Sequence, residues 1–280
     1  MIALTSPPWP PGWIKPSLGS RVHAVMTARS ALSAGQGAGS GEPYDDFNLG
    51  NHVGDDPGDV ARHRRDLALA MGAEPVWLQQ VHGNRVLRLS RDDVGRADEH
   101  QADGSLTTES GVACVIMVAD CLPVLLAAPQ GRAVAALHAG WRGLAGAGDM
   151  QGRGIVETGV AALCEAASCD PAEVLAWLGP CIGPTAFEVG ADVLRGFGVN
   201  PGRPHPRFRS QPFGAAPDDV TARRWLADLP GLATDRLRAL GLGRIEGGTW
   251  CTVSEPSRFF SFRRDGVTGR QAACIWLGER

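Results

Sequence analysis

The sequence is poor in lysine and has no long apolar run. Lys15 is the only lysine among 27 basic residues, and the arginines are scattered along the chain. Proteins that bind nucleic acids or anionic membranes do so through clustered Lys and Arg side chains. Together with a formal net charge of -3, this scatter argues against both kinds of partner. No stretch approaches the roughly 18 uninterrupted apolar residues expected of a membrane-spanning helix.

The cysteines lack the pattern of a disulfide scaffold. There are seven, an odd number, spread through 280 residues and mostly in apolar surroundings, which is typical of a reducing compartment. Residues 1–20 have no charged region, and prolines interrupt them where a secretion signal would have its apolar core. The sequence therefore predicts a cytoplasmic protein, with an extended lead-in over 1–20 and one domain over 21–280.

A nucleotide-binding loop is absent as well. Residues 30–41 are rich in glycine, but they lack the Lys-Ser/Thr ending and the strand-to-helix context of a P-loop. We interpret this stretch as a surface loop. Arg29, at its entrance, closes a β-like run over 21–29, and its side chain could either bind an anion or form an ordinary surface ion pair.

Apolar patterning predicts both strands and helices, with no repeat of fixed period. Strands outnumber clear strand–helix–strand units, so the sequence predicts an α+β fold with mixed sheets and long Gly/Pro-rich loops rather than a doubly wound sheet. The predicted segments are a helix over 57–71, strand, turn and strand over 75–89, buried strands over 113–119 and 133–137, a helix over 154–167, a strand over 174–178, a helix over 221–240 interrupted by Pro230, and three strands over 244–277.

Three possible metal ligands lie near the ends of these elements. Cys121 follows one buried run, His138 ends the next, and His82 lies near the turn upstream. A thiol and an imidazole at the ends of neighbouring strands, with a further histidine, leave a coordination position open, as catalytic zinc sites do. No CxxC or HExxH pattern fixes the geometry, so an inert buried cysteine and hydrogen-bonded histidines remain the alternative.

Seven segments together resemble the YfiH family, also labelled DUF152 and polyphenol oxidase (laccase domain). They occur in the order QQVHG, ADG, ADCLPV, HAGWRG, GPCIGPTAFEVG, WCT and FFSFRRDGVTGRQA. The resemblance covers the chain from about Arg21 onwards and implies a single-domain α/β sandwich with its site in a cleft near the metal. It also implies a zinc-dependent purine nucleoside phosphorylase, acting on purine nucleosides and phosphate, that also deaminates adenosine and cleaves methylthioadenosine.

The resemblance also assigns residues. Arg29 matches the arginine of the family's N-terminal motif. Asn48 and His52 fall in its next two patterns, and the resemblance implies that both bind the substrate. The chain departs from the family at two sites: Ser30-Ala31 replaces a glycine pair after the arginine, and His63-Arg64 replaces Asn-Arg on the following helix. The zinc ligands implied by the resemblance are His82, Cys121 and His138.

The implied reactions ask for further groups. Phosphorolysis needs a cation that holds phosphate against the ribose, for which Arg29, with Arg64 or Arg142, is a candidate. Deamination needs an acid that protonates the departing ammonia, for which Asp120 or Glu188 is a candidate.

Two other classes of function are the alternatives to this enzyme. A copper phenol oxidase with mononuclear and trinuclear centres needs more ligands than one His/Cys/His set, and all seven histidines of the chain could not supply them. A metal-free cysteine hydrolase or binding protein would use Cys121 with His138 as its base. The preferred nucleoside and the oligomeric state stay open on sequence alone.

Overall fold

The computed structural model describes residues 9–30, 40–96, 100–211 and 223–279. Within these ranges the strands are β1 (Val22–Met26), β2 (Glu74–Val76), β3 (Val86–Leu89), β4 (Gly104–Thr107), β5 (Val112–Val118), β6 (Leu122–Ala127), β7 (Val134–Ala139), β8 (Leu175–Leu178), β9 (Glu188–Val189), β10 (Phe208–Ser210), β11 (Trp225–Ala227), β12 (Arg244–Gly247) and β13 (Gln271–Leu277). The helices are α1 (Pro57–Met71), α2 (Trp141–Ala145), α3 (Ile155–Ala167), α4 (Ala191–Gly196), α5 (Leu229–Ala239) and α6 (Phe262–Asp265).

Two mixed sheets form the centre of the fold. The first has the strand order β1-β13-β5-β2, and the second has the order β12-β8-β6-β7-β4-β3. Parallel pairs occur at the edges, between β2 and β5, β12 and β8, and β3 and β4. A smaller antiparallel sheet has the order β10-β11-β9. The predicted α+β arrangement with mixed sheets is confirmed.

The two large sheets pack face to face. Successive side chains of a strand point to opposite faces, and β5 is buried on both. Ile116 packs with Leu125 and Ala136 of the second sheet, whereas Val115 packs with Leu67 of α1. Helices α3 and α5 cover the outer face of the second sheet. The result is a sandwich of helix, two sheets and helices, in which unbroken apolar runs form the central strands.

Helix α1 begins and ends where the sequence predicts. The Asp56 carboxylate accepts hydrogen bonds from the backbone N–H groups of Gly58 and Asp59, at 2.8 and 3.1 Å, Pro57 opens the first turn, and Gly72 ends the helix with φ 61°. These are the preferred residues of helix starts and stops. None of the helices in the described ranges is both long enough and apolar enough to cross a membrane.

Three segment predictions are wrong in detail. The strands over 75–89 do not pair with each other, because β2 joins the first sheet and β3 the second. In place of one helix over 221–240, the described residues form strand β11 and then helix α5. Pro230 does not interrupt a helix but lies in the first turn of α5, where its missing N–H has no partner to lose. The middle strand predicted over 244–277 is replaced by a turn and the short helix α6.

Candidate active site

The side chains of His82, Cys121 and His138 meet at one end of the sandwich. Their possible ligand atoms all lie within 4.8 Å of one another, and Cys121 Sγ is 3.8 Å from His82 Nε2. Across the described ranges this is the one group of three or more His, Cys, Asp or Glu side chains close enough to hold a metal ion. The structure thus brings the predicted ligands together.

The strands before Cys121 and around His138 are not neighbours in one sheet, as the sequence analysis expected. Strand β5, which ends before Cys121, and strand β7, which carries His138, belong to different sheets. The two residues are close because β6 begins directly after Cys121 and pairs with β7, placing Pro123 opposite His138. Cys121 therefore lies where the chain crosses from the first sheet to the second.

Asp103, a residue that sequence reasoning missed, positions two of the three ligands. Its buried carboxylate accepts hydrogen bonds from the backbone N–H groups of Val81, His82 and Gly83, at 3.1, 2.8 and 2.6 Å. These bonds hold His82 at φ 61°. His138 Nδ1 lies 2.8 Å from the same carboxylate, which leaves Nε2 for a metal ion, as carboxylates beside metal-bound histidines do. Asp103 is the aspartate of the ADG segment.

Glycines of the HAGWRG segment leave room for the ligands. A Cβ atom at Gly140 would lie 3.0 Å from both Cys121 Sγ and His82 Cδ2 and 3.7 Å from His138 Cε1. A Cβ atom at Gly143 would lie 2.7 Å from the carbonyl oxygen of Gly83. The three donor side chains thus enclose a space that one methyl group would crowd. A soft thiolate and two imidazoles around such a space fit one transition-metal ion.

Cys121 and His138 shift each other's proton affinity. Burial by itself raises the pKa of the Cys121 thiol, but the neighbouring His138 and His82 lower it to about 6, which favours the thiolate form. Burial lowers the pKa of His138, yet the thiolate and Asp103 raise it to about 9. Burial likewise raises the pKa of Asp103, while hydrogen bonds from His138 and the backbone lower it overall. Since metal ligands bind in their deprotonated form, a metal ion at this group would compete with protons for Cys121 and His138.

A cleft of about 620 Å³ opens over the three ligands. That volume is typical of pockets for small molecules. The side chain of Phe262 is exposed over 59% of its surface and faces the cleft, so its ring is available for stacking. Besides the ligands, the cleft is lined by Asn51, His52, Leu78, Gln79, Gln80, Met117, Val118, Ala119, Phe262 and Arg270.

Arg270 is the cation that lines this cleft, and sequence reasoning missed it too. Burial lowers its pKa, but a guanidinium stays charged at neutral pH. Its Nη1 donates to the carbonyl oxygens of Thr268 and Gly269, at 3.1 and 3.0 Å. The buried Asn48 accepts the backbone N–H of Arg270 at 2.8 Å, so Asn48 positions this arginine from behind. Arg270 and Phe262 both belong to the FFSFRRDGVTGRQA segment. Its part in the family resemblance was the one feature of the sequence that could have pointed to these two residues.

The three arginines predicted to hold phosphate are not among the residues that line the cleft. Arg29 forms an ion pair with Asp45 at 3.0 Å. The Arg64 guanidinium stacks 4.1 Å above the ring of Trp77, and Arg142 is exposed. Of the predicted substrate-binding residues, His52 lines the cleft.

Neither predicted acid lines the cleft. Asp120 has the left-handed φ of 99°, and both its carboxylate oxygens accept hydrogen bonds, from Thr252 Oγ1 and from the backbone N–H of Arg263, each at 2.6 Å. It therefore ties the turn before Cys121 to the WCT and RRDG segments. Glu188 is exposed, and its backbone carbonyl accepts from Arg263 Nη1 at 3.0 Å.

A family described as multi-copper polyphenol oxidoreductase laccase matches residues 29–278. The chain belongs to this family. It is 41% identical over 237 residues, 84% of this chain and 88% of the relative, to a Shigella flexneri protein named purine nucleoside phosphorylase YfiH. It is also 41% identical over 269 residues, 96% of this chain and 98% of the relative, to a Pseudomonas aeruginosa protein named purine nucleoside phosphorylase. The resemblance to YfiH proteins is confirmed.

Solved structures show the same fold. A Neisseria meningitidis protein of family DUF152 matches with a TM-score of 0.79 at 38% identity, over 96% of this chain and 100% of that chain. YlmD from Geobacillus stearothermophilus matches with a TM-score of 0.78 at 31% identity, over 93% of each chain. The arrangement of sheets and helices is therefore that of the YfiH-type proteins.

Proposed function

We propose that the protein is a zinc-dependent purine nucleoside phosphorylase, which converts inosine, adenosine or guanosine and phosphate into the free base and ribose 1-phosphate. The observation that carries the proposal is the His82, Cys121 and His138 group at the floor of a cleft that also holds Arg270 and Phe262. The names of two relatives at 41% identity support it.

Zinc is favoured over copper by the ligand count. Two histidines and a thiolate with an open position form a catalytic zinc set. The family description names copper, but a multi-copper oxidase needs further clusters of histidine ligands. All seven histidines of the chain lie in the described ranges, and there His82, Cys121 and His138 form the one group that could hold a metal ion.

The residues that line the cleft divide the work of phosphorolysis. Arg270 is a partly buried cation in the cleft and takes the phosphate-binding role predicted for Arg29, because a guanidinium that is partly removed from water attracts an anion more strongly than a fully exposed one. Phe262 offers its ring face to the purine base. Asp103 keeps His82 and His138 oriented. When bound, zinc supplies a Lewis acid that stabilises negative charge on the departing base.

We further propose that adenosine deamination and methylthioadenosine cleavage occur in the same cleft. Neither Asp120 nor Glu188 lines it. His52 does, and an imidazole can donate the proton that departing ammonia needs near neutral pH. His52 therefore takes the acid role in this proposal.

The deciding experiment is turnover of inosine and adenosine, with and without phosphate, alongside metal analysis of the same preparations. Wild type should hold one zinc per chain and release base only when phosphate is present. Cys121→Ala should lose both properties, whereas Cys169→Ala, which changes a partly buried cysteine outside the ligand group, should keep both. Zinc without base release or deamination would remove the purine assignment and leave the metal site standing.

The lowered pKa of Cys121 also suits a second candidate, a metal-free cysteine hydrolase with His138 as base. Alkylation by iodoacetamide separates the two functions. A zinc ligand is protected, so we expect zinc to slow alkylation of Cys121 strongly. An unchanged alkylation rate at saturating zinc would favour the hydrolase.

A further inference from the structure

A second cysteine, Cys251, has an unusual setting outside the metal group. Its partly buried sulfur accepts hydrogen bonds from the backbone N–H of Gly183 and from the hydroxyl of Ser254, both at 3.3 Å. A Cβ atom at Gly183 would lie 3.1 Å from this sulfur. The glycine thus allows the backbone of the GPCIGP segment to approach the thiol closely.

These donors stabilise the thiolate form. Burial by itself raises the pKa of Cys251, but the Ser254 hydroxyl and backbone N–H groups, including that of Gly183, lower it overall. Thiols with a lowered pKa and some exposure are the ones that react with oxidants and electrophiles. Cys251 meets both conditions.

Cys181 is the neighbour that could complete a disulfide. Cys181 and Cys251 are directly paired in a parallel β-bridge, and the backbone N–H of Thr252 donates to the Cys181 carbonyl oxygen at 3.0 Å. Paired strands lie about 4.8 Å apart, and disulfides join Cα atoms about 4.4–6.8 Å apart. Cys181 itself is fully buried, and burial raises its pKa, so Cys251 is the thiol that reacts first.

Hydrogen bonds to Asp120 connect the pair to the metal group. Thr252, next to Cys251, donates its hydroxyl to the Asp120 carboxylate at 2.6 Å. Asp120 directly precedes the ligand Cys121, and its backbone carbonyl accepts the N–H of Ile182, which follows Cys181. A change at either cysteine of the pair therefore reaches the turn that holds Cys121.

We propose that Cys251 is a site of reversible oxidation by hydrogen peroxide, with Cys181 as the resolving thiol, and that the resulting disulfide lowers the activity of the metal site. The Cys251 thiolate attacks the peroxide, an S–O bond forms as the O–O bond breaks, and the leaving oxygen takes up a proton as water. The Cys181 thiol then attacks the Cys251 sulfur and gives up its proton, the S–S bond forms, and the hydroxyl leaves as water. Two thiols are oxidised and one peroxide is reduced to two waters.

The two parts of this inference depend on different things. The thiol chemistry depends on Cys251 and Cys181 alone, whereas the loss of activity rests on the proposed function. The disulfide takes the sulfur away from Gly183 and Ser254 and displaces Thr252 from Asp120. Loss of a contact behind a metal ligand typically lowers activity or metal affinity about 10-fold to 100-fold, so we expect an effect of that size.

Peptide mapping by mass spectrometry tests the chemistry on zinc-loaded protein treated with hydrogen peroxide. We expect a peptide that links Cys181 and Cys251, 2 Da lighter than its reduced parts, in wild type and in the control Cys169→Ser. In Cys181→Ser, dimedone should trap a sulfenic acid on Cys251. Ser254→Ala, which loses an exposed donor, should form the link more slowly. Absence of the link, or equal trapping at every cysteine, would overturn the proposal.

Activity before and after peroxide tests the consequence. Wild type and Cys169→Ser should lose activity at least about tenfold and recover it with dithiothreitol, and Cys251→Ser should keep its own starting activity. If Cys251→Ser loses activity and zinc together under peroxide, Cys121 is the target and the regulatory inference is wrong. If no nucleoside is cleaved by any variant, the proposed function fails, and the mapping result still decides the thiol chemistry.

Discussion

Gly140 lies against all three ligand side chains, and its missing side chain defines the size of the metal group. Its backbone, at φ -61° and ψ 156°, suits alanine, so Gly140→Ala adds only a methyl group 3.0 Å from Cys121 Sγ and His82 Cδ2. We expect zinc affinity to fall about tenfold or more, since ligand atoms must move apart. Competition with a chelator measures it.

The matched control for this variant is Gly243→Ala. A Cβ atom at Gly243 would meet nothing within 4 Å, so zinc affinity should stay at the wild-type value. Equal affinities for both variants would show that the space between the ligands is not limiting.

The Asp103 carboxylate accepts hydrogen bonds from four donors. Its charge matters as much as its shape, because a neutral amide has one oxygen acceptor in place of two. Asp103→Asn keeps the shape but turns an amide N–H towards groups that also donate. Each buried donor left without an acceptor costs about 1–3 kcal/mol of folding free energy, and zinc affinity should fall about 10-fold to 100-fold. Thermal unfolding and chelator competition measure the two effects.

The exposed Asp92 is the comparison for this substitution. Asp92→Asn should change neither quantity. If Asp103→Asn keeps wild-type zinc affinity while it loses stability, Asp103 supports the fold without orienting the ligands.

At the scale of elements, helix α2 packs tightly at Gly143 against the loop that carries His82. Alanine is intrinsically better than glycine in a helix by about 1 kcal/mol. A Cβ atom at Gly143 would nevertheless lie 2.7 Å from the Gly83 carbonyl oxygen. Gly143→Ala should therefore destabilise the protein by about 1–3 kcal/mol through overpacking, and it should lower zinc affinity because His82 moves with the loop.

Denaturant titration and zinc competition on the same variant check this result. Greater stability than wild type would mean that helix propensity exceeds the clash, and it would contradict the tight contact between α2 and the loop.

At the scale of the whole molecule, the three residues that could hold a metal ion come from separate parts of the chain. His82 lies between strands of different sheets, Cys121 lies where the chain crosses between the sheets, and His138 lies in the second sheet. A metal ion that binds only the folded chain stabilises it by about 2.7 kcal/mol when its free concentration is 100-fold above the dissociation constant. Zinc should therefore raise the unfolding temperature by several degrees.

Thermal unfolding with and without zinc tests this linkage. Cys121→Ala should show little or no rise, whereas Cys169→Ala should match wild type. An equal rise in Cys121→Ala would place the stabilising ion somewhere other than this group.

Local chemistry made part of the fold predictable. Asp56, Pro57 and Gly72 mark the ends of α1 because capping depends on residues a few positions apart. The buried runs of β5 and β7 were predictable from their apolar residues alone. Partner choice was not predictable: β2 and β3 are separated by a short loop, yet they join different sheets, because pairing depends on which strands lie beside them after the sheets pack.

The candidate site divides in the same way. The sequence by itself determined the donor types, a thiol and two imidazoles at the ends of apolar segments, because the chemistry of a ligand belongs to its own side chain. Only the tertiary structure decided that Arg270, and not Arg29, lines the cleft, and that Asp103 orients the ligands. Burial and hydrogen bonding depend on neighbours that are distant in the chain, such as Asn48 for Arg270 and His138 for Asp103, and only folding brings those neighbours together.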